Sequence, residues 1–153
     1  MKSSANTLGY KKKPRVLFIC KRRHLYSEVS QTLSSSGLTN SASFVVDMLN
    51  KNGVIAKLVN VVDNNSIDKE VSIFNPNYVV IEALWVVPDK FNILQKLYPH
   101  VKWIIRLHSE LPFLANEGIA IEWLYNYLNY ENVHIASNSK RATAHLTNIL
   151  KTP

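Results

Sequence analysis

The sequence predicts an α/β domain: a three-layer, Rossmann-like fold with about five parallel strands flanked by helices. Two observations predict it. Short apolar runs alternate along the chain with segments whose apolar residues recur at helical spacing. Most of these runs are also continuously apolar, which is typical of strands covered on both faces. Right-handed crossovers between parallel strands are the rule, and we expect the strand order 3-2-1-4-5.

The predicted strands are short. They cover residues 15–20, 54–62, 78–81, 102–107 and 133–136. Residues 21–39 lack a clear periodicity and contain the turn-forming run 34–37, so a long loop is expected there. Asn40 or Ser41 can cap the helix that follows, and Ser139 can cap a last helix.

Length and composition predict one domain without a membrane anchor. Residues 1–13 are expected to be a disordered basic tail, and residues 14–153 a single Rossmann-like domain. No apolar run approaches the ~18 residues of a membrane helix, and no signal peptide is recognisable. Cys20 is the single cysteine, which excludes an intrachain disulfide. These features favour a cytoplasmic protein.

The net charge of +7 is concentrated near the N-terminus. Residues 1–23 hold eight basic side chains and no acidic one, whereas residues 24–153 hold ten basic and eleven acidic. Such a cluster can contact nucleic acid or another polyanion, or can act as a solubilising tail. The predicted polyanion contacts are Lys11, Lys12, Lys13, Arg15, Lys21, Arg22 and Arg23.

Several common chemistries lack their motifs. No Gly-x-Gly-x-x-Gly follows the first strand, and no Walker A sequence occurs. Cys20 closes the first strand, but a tyrosine phosphatase loop needs an arginine where this chain has Tyr26. His100, His108, His134 and His145 lack the spacing of helical zinc ligands, so no metal site is predicted.

The densest group of reactive side chains follows the fourth predicted strand. Arg106, His108 and Glu110 come where that strand ends. Ligands of open parallel sheets bind beyond the carboxyl ends of the strands, so a binding site is predicted there. The alternative is that His108 is a structural residue that braces the following loop.

Four segments, taken in order, resemble the N-terminal, acceptor-side domain of GT-B glycosyltransferases, including glycosyltransferase-like proteins of tailed phages. They are the first strand with the segment 36–42, the strand 78–83, the segment 103–110 that ends a strand in a histidine, and the junction 133–139. The chain departs from that family in having the lone Gly37 in its first loop and Asn77 in place of an aspartate.

The resemblance implies that a nucleotide-sugar donor is used by a complete enzyme with a second, donor-binding α/β domain, and that this chain alone binds no cofactor and is inactive. It implies that His108 is the catalytic candidate, as a polar contact to the donor sugar or acceptor. The implied substrate-binding residues are Ser36, Gly37, Thr39, Arg106, Glu110, Ser137 and Asn138. Two alternatives remain open: a non-catalytic Rossmann-like module that binds nucleic acid or protein through the basic N-terminal edge, and an independent small enzyme of the flavodoxin-like kind.

Overall fold

The computed structural model describes residues 12–22, 28–108 and 118–137. Its strands are β1 (Arg15–Lys21), β2 (Ile55–Val61), β3 (Tyr78–Glu82), β4 (Lys102–Leu107) and β5 (Val133–Ser137). Its helices are α1 (Glu28–Lys51), α2 (Ile67–Phe74), α3 (Lys90–Leu97) and α4 (Gly118–Tyr127), with a short 3-10 turn before α2. All five strands pair in parallel in one sheet, which confirms the predicted α/β fold.

The strand order is β2-β1-β3-β4-β5, so the predicted order 3-2-1-4-5 is wrong. The reason lies in which strands are buried. β3 has four consecutive buried residues, Val79 to Glu82, and therefore occupies the centre of the sheet between β1 and β4. β2 carries Lys57 and Asn60 on exposed positions and forms an edge. The prediction that β1 and β4 are neighbours is wrong as well, because β3 separates them.

Two apolar clusters, one on each face of the sheet, make the predicted three layers. On one face Phe18 and Val80 pack with Ala42 and Val46 of α1. On the other face the larger cluster joins the sheet to α2, α3 and α4. Phe91 of α3 is central to it, because its ring meets Trp103 of β4 and Tyr127 of α4 edge-on, at 5.6 and 5.7 Å between centroids. Burial on both faces explains why the central strands are continuously apolar.

The segment that follows β1 differs from its prediction. Residues 28–39 belong to α1, a helix of 24 residues, and not to the long loop predicted for residues 21–39. Asn40 and Ser41 consequently lie inside this helix and do not cap it. An internal glycine costs a helix only about 1 kcal/mol relative to alanine, so the burial of Ala42 and Val46 against the sheet can outweigh Gly37.

The remaining elements lie close to their predicted positions. β4 has the predicted bounds, and β2, β3 and β5 differ by one residue at one or both ends. The last helix, predicted to begin at Ser139, falls outside the described residues. Across the residues that the structure describes, none of the helices combines the length and the apolar character needed to cross a bilayer.

Candidate functional site

The polar cluster at the carboxyl edge of the sheet follows from the alternation of side chains along the strands. Val80 of β3 packs on the α1 face, and Ile104 of β4 lies against the same cluster. Side chains two positions apart share a face. Glu82 and Arg106, each two residues further on, therefore also lie on the α1 face, directly opposite each other in the β3–β4 register.

Glu82 is the centre of this cluster. Its side chain is fully buried, and each carboxylate oxygen has a partner. Oε1 accepts a hydrogen bond from Nη1 of Arg106 at 2.9 Å. Oε2 contacts Nε2 of His108, the first residue after β4. A buried carboxylate is tolerated when it is paired and hydrogen-bonded, and here both conditions are met.

Arg106 connects the sheet to the first helix. Its Nη2 donates a hydrogen bond at 3.0 Å to Oγ of Ser41, which lies on α1. The guanidinium is therefore fixed on one side by the Glu82 carboxylate and on the other by α1. The side chains of Arg106 and His108 are 21% and 17% exposed to solvent, so this end of the cluster reaches the surface.

The backbone that leaves β3 is held in an uncommon conformation. Ala83 has φ of 73°, in the left-handed region that residues with a Cβ rarely adopt. Its N–H donates to the carbonyl of Arg106 at 2.9 Å, which extends the pairing with β4 past the end of β3. Trp85 closes the turn by donating from Nε1 to the carbonyl of Glu82 at 2.9 Å. These two hydrogen bonds fix the backbone directly after Glu82.

Cys20, one residue before the end of β1, lies close to the same cluster. Its thiol is free and buried. Burial raises the pKa of Cys20 to about 11, the negative charge of Glu82 adds to that increase, and Arg106 opposes it. A thiol with so high a pKa is protonated at neutral pH and is a poor nucleophile. Cys20 is therefore a core residue.

Chemically, this carboxyl-edge cluster (Cys20, Ser41, Glu82, Arg106 and His108) offers an oriented imidazole and a fixed guanidinium at a partly open surface. The buried carboxylate sets the orientation of the imidazole, and its charge is matched by Arg106. Imidazole and guanidinium can hydrogen-bond hydroxyl or phosphate oxygens. Within the described residues, no group of three or more histidine, cysteine or acidic side chains could hold a metal ion.

The predicted site residues divide into several groups. Arg106 and His108 lie together. Ser137 ends β5 opposite Leu107, which is packed in the cluster on the far face, so Ser137 is on the other side of the sheet from His108. Ser36, Gly37 and Thr39 lie within α1 instead of the expected loop. Glu110 and Asn138 lie outside the described residues.

The predicted polyanion contacts do not form one surface. Lys12, Lys13 and Arg15 lie at the amino edge of the sheet, where β1 begins, together with Lys102 at the start of β4. Lys21 and Arg22 are exposed at the opposite, carboxyl end of β1. Lys11 and Arg23 lie outside the described residues.

Sequence reasoning missed Glu82 and Ser41. Glu82 did carry a signal, because it is an acidic residue that directly continues the apolar run of β3, and a charge at a buried strand end needs a partner. Ser41 could not be found without the correct bounds of α1.

Comparison with known proteins does not identify a family for this chain. The chain matches no protein-family model and no curated protein.

Proposed function

We propose that this chain is the acceptor-side α/β domain of a GT-B-type glycosyltransferase, and that it binds part of a nucleotide-sugar or its acceptor at the carboxyl edge of the sheet. The supporting observation is the pairing of His108 with the buried carboxylate of Glu82 at that edge. His108 is the residue that the family resemblance indicates, and the carboxyl edge is where open α/β sheets bind ligands.

In this proposal each residue of the carboxyl-edge cluster has a separate role. Glu82 orients the ring of His108, and the partly exposed imidazole hydrogen-bonds a sugar hydroxyl. Arg106, fixed by Glu82 and Ser41, places a permanent positive charge beside a phosphate or a polar acceptor. The donor-binding domain is a separate α/β unit outside these 153 residues, and transfer takes place only when both units hold their reactants in one geometry.

The test is chemical-shift mapping on the isotope-labelled chain. UDP-glucose, UDP-N-acetylglucosamine and GDP-mannose, with the free sugars as comparison, are titrated to millimolar concentration while amide shifts are followed. The expected result is that at least one nucleotide-sugar shifts the amides of residues 82–85 and 106–108. A full panel without shifts in these two segments would contradict the proposal.

A second candidate function is favoured by the strand order. The order β2-β1-β3-β4-β5 is the doubly wound order of flavodoxin-like domains, whose ligand binds at the switch point between β1 and β3. Lys21 and Glu82 end those two strands, and Cys20 directly precedes Lys21. An independent small enzyme of this kind needs no second domain. It predicts that FMN, or a nucleotide that carries no donor sugar, shifts the amides around residue 20 more than any nucleotide-sugar does.

A further inference from the structure

A basic cleft lies at the amino edge of the sheet, opposite the carboxyl-edge cluster. It has a volume of about 600 Å³. Lys12, Lys13, Arg15 and Lys102 line it together with His100, and no acidic side chain does. The sequence indicated a basic tail, but the contribution of Lys102, 87 positions after Arg15, follows only from the fold.

The positions of these cations follow from the parallel register. Val16 of β1 pairs with Tyr78 of β3, which in turn pairs with Lys102 of β4. The beginnings of three neighbouring strands therefore lie side by side at one edge, with Arg15 directly before Val16. Strands are about 4.8 Å apart, so the cationic residues of β1 and β4 are separated by roughly 10 Å. That spacing suits an extended ligand with more than one phosphate.

Arg15 forms a rigid wall of the cleft. Its Nε and Nη2 donate to the carbonyl of Phe74 at 3.0 and 2.8 Å, and the guanidinium lies 4.3 Å from the centre of the Phe74 ring. The backbone N–H of Arg15 also donates to the Asn77 side chain at 2.8 Å. The charge is thus held in place before a ligand arrives, which lowers the entropy lost on binding.

The lysines are available for a ligand. Lys12, Lys13 and Lys102 are exposed. Among the residues that the structure describes, the ion pairs are Lys90–Asp68, Arg106–Glu82 and His108–Glu82, and none of them involves these three lysines. A ligand phosphate therefore does not have to displace an existing carboxylate partner.

Tyr78 gives the cleft an aromatic surface among the cations. It is 36% exposed at the start of β3 and lines the cleft next to Lys102. Proteins that bind single strands combine a positive groove with aromatic side chains on which bases stack.

We infer that this cleft binds single-stranded nucleic acid, with Lys12, Lys13, Arg15 and Lys102 on phosphates and Tyr78 on a base. This inference is independent of the sugar-transfer proposal, because the two sites lie at opposite edges of the sheet.

The test is fluorescence anisotropy of a labelled oligothymidylate with the full chain over a range of NaCl concentrations. Each phosphate neutralised on a single strand contributes about −0.7 to the slope of log K against log salt, so four cations give a slope of about −3. Lys102→Gln is expected to reduce the magnitude of that slope by about 0.7. Lys69→Gln, an exposed lysine on α2 outside the cleft, is the matched control and should leave the slope unchanged.

Tyr78 separates base stacking from general attraction to polyanions. Loss of a base–aromatic stack lowers affinity by about fivefold or more, so Tyr78→Leu should do so, and Tyr78→Phe should retain wild-type affinity. Thermal melts of each variant show that it is folded.

Three outcomes would overturn the inference: equal slopes for Lys102→Gln and Lys69→Gln, no effect of Tyr78→Leu on the affinity of a folded chain, or tighter binding of a duplex or of heparin than of the oligothymidylate.

Discussion

Oε1 of Glu82 and Nη1 of Arg106 lie 2.9 Å apart, with the carboxylate fully buried and the guanidinium partly exposed. Glu82 ends β3, Arg106 is the last residue but one of the neighbouring β4, and the two stand directly opposite each other in the register. Arg106 also reaches Ser41 of α1, so one guanidinium joins β3, β4 and the first helix. This ion pair connects the stability of the sheet edge to the geometry of the candidate site.

Removing Arg106 should be strongly destabilising. Arg106→Met leaves the Glu82 carboxylate buried with His108 as its remaining side-chain partner, and breaking a buried pair costs about 3–5 kcal/mol. Glu82→Gln combined with Arg106→Met should cost less than the two single changes added, because the uncompensated charge is gone. Urea unfolding of the four chains in this double-mutant cycle measures the coupling.

The control cycle uses the partly buried pair of Lys90 and Asp68, which lie 3.3 Å apart and are 10% and 35% exposed. The Asp68 carboxylate, unlike that of Glu82, keeps contact with water, so this pair should couple more weakly. If the Glu82–Arg106 coupling is no larger than that of the control pair, the buried pair does not stabilise the sheet edge.

Ala83 should be one of the few positions where glycine does not destabilise the chain. A left-handed conformation costs a residue with a Cβ about 1–2 kcal/mol, which offsets the ~0.5–1 kcal/mol that glycine loses through its greater freedom in the unfolded chain. Ala83→Gly should therefore leave the free energy of unfolding unchanged or raise it by up to about 1 kcal/mol.

Ala56→Gly in β2 is the control for this substitution, because the backbone there has no positive φ, and it should be destabilising. The free energies of unfolding are compared in urea. A loss at Ala83 as large as that at Ala56 would show that the conformation of residue 83 stores no strain.

The thiol of Cys20 should resist alkylation at neutral pH. Burial and the charge of Glu82 raise its pKa from 9.0 to about 11, so the native chain should react with iodoacetamide along a pH profile centred near pH 11, and the urea-unfolded chain near pH 9. The chain has one cysteine, so the signal is unambiguous. A native profile that coincides with the unfolded one would contradict this environment.

The same pKa shift has a consequence for stability, and its sign follows from proton linkage. The folded chain holds the thiol proton more tightly than the unfolded chain does, because the folded pKa is the higher one. The stabilisation is present in full below pH 9 and is lost as the pH rises towards about 11. Cys20→Ser lacks this group, so its stability should fall less than that of the wild type between pH 9 and about 11.

The 153-residue chain alone should transfer no sugar. The proposal assigns it the acceptor side, and transfer requires donor and acceptor in one geometry. Incubation with radiolabelled nucleotide-sugars and a panel of sugar and nucleic-acid acceptors should give no labelled product. Turnover by the purified chain would instead support an independent small enzyme.

Much of the fold could be predicted from local sequence patterns. Short, mostly apolar runs locate the five strands, those of the central strands being the most continuous because both faces are buried, and β4 matches its predicted bounds. The order of the strands is harder to predict, because it depends on which strand is buried at the centre of the sheet and which is exposed at its edge. The polar residues Lys57 and Asn60 in β2, set against the uninterrupted burial of β3, are the features that indicate which strand lies at the edge and which at the centre.

The sequence indicated two members of the carboxyl-edge cluster. A histidine after a buried strand is a local signal, so Arg106 and His108 could be found. The pairing of Arg106 with Glu82 and Ser41 could not be predicted, because these residues are 24 and 65 positions from it in sequence and meet it only through the strand order and the extent of α1. The loop predicted for residues 21–39 was wrong over residues 28–39, because tertiary packing of α1 outweighs the weak helix preference of serine and glycine.

The central claim is that His108 serves a ligand and not only the stability of the fold. The direct measurement is the affinity of His108→Ala for the nucleotide-sugar that binds the wild-type chain, taken beside its thermal melt, with the exposed His134→Ala on β5 as the matched control. We predict that His108→Ala weakens binding at least tenfold, or by about 1.4 kcal/mol, with a small change in melting temperature, and that His134→Ala changes neither. A large fall in melting temperature with the affinity of the folded chain unchanged would show that His108 only braces the end of β4.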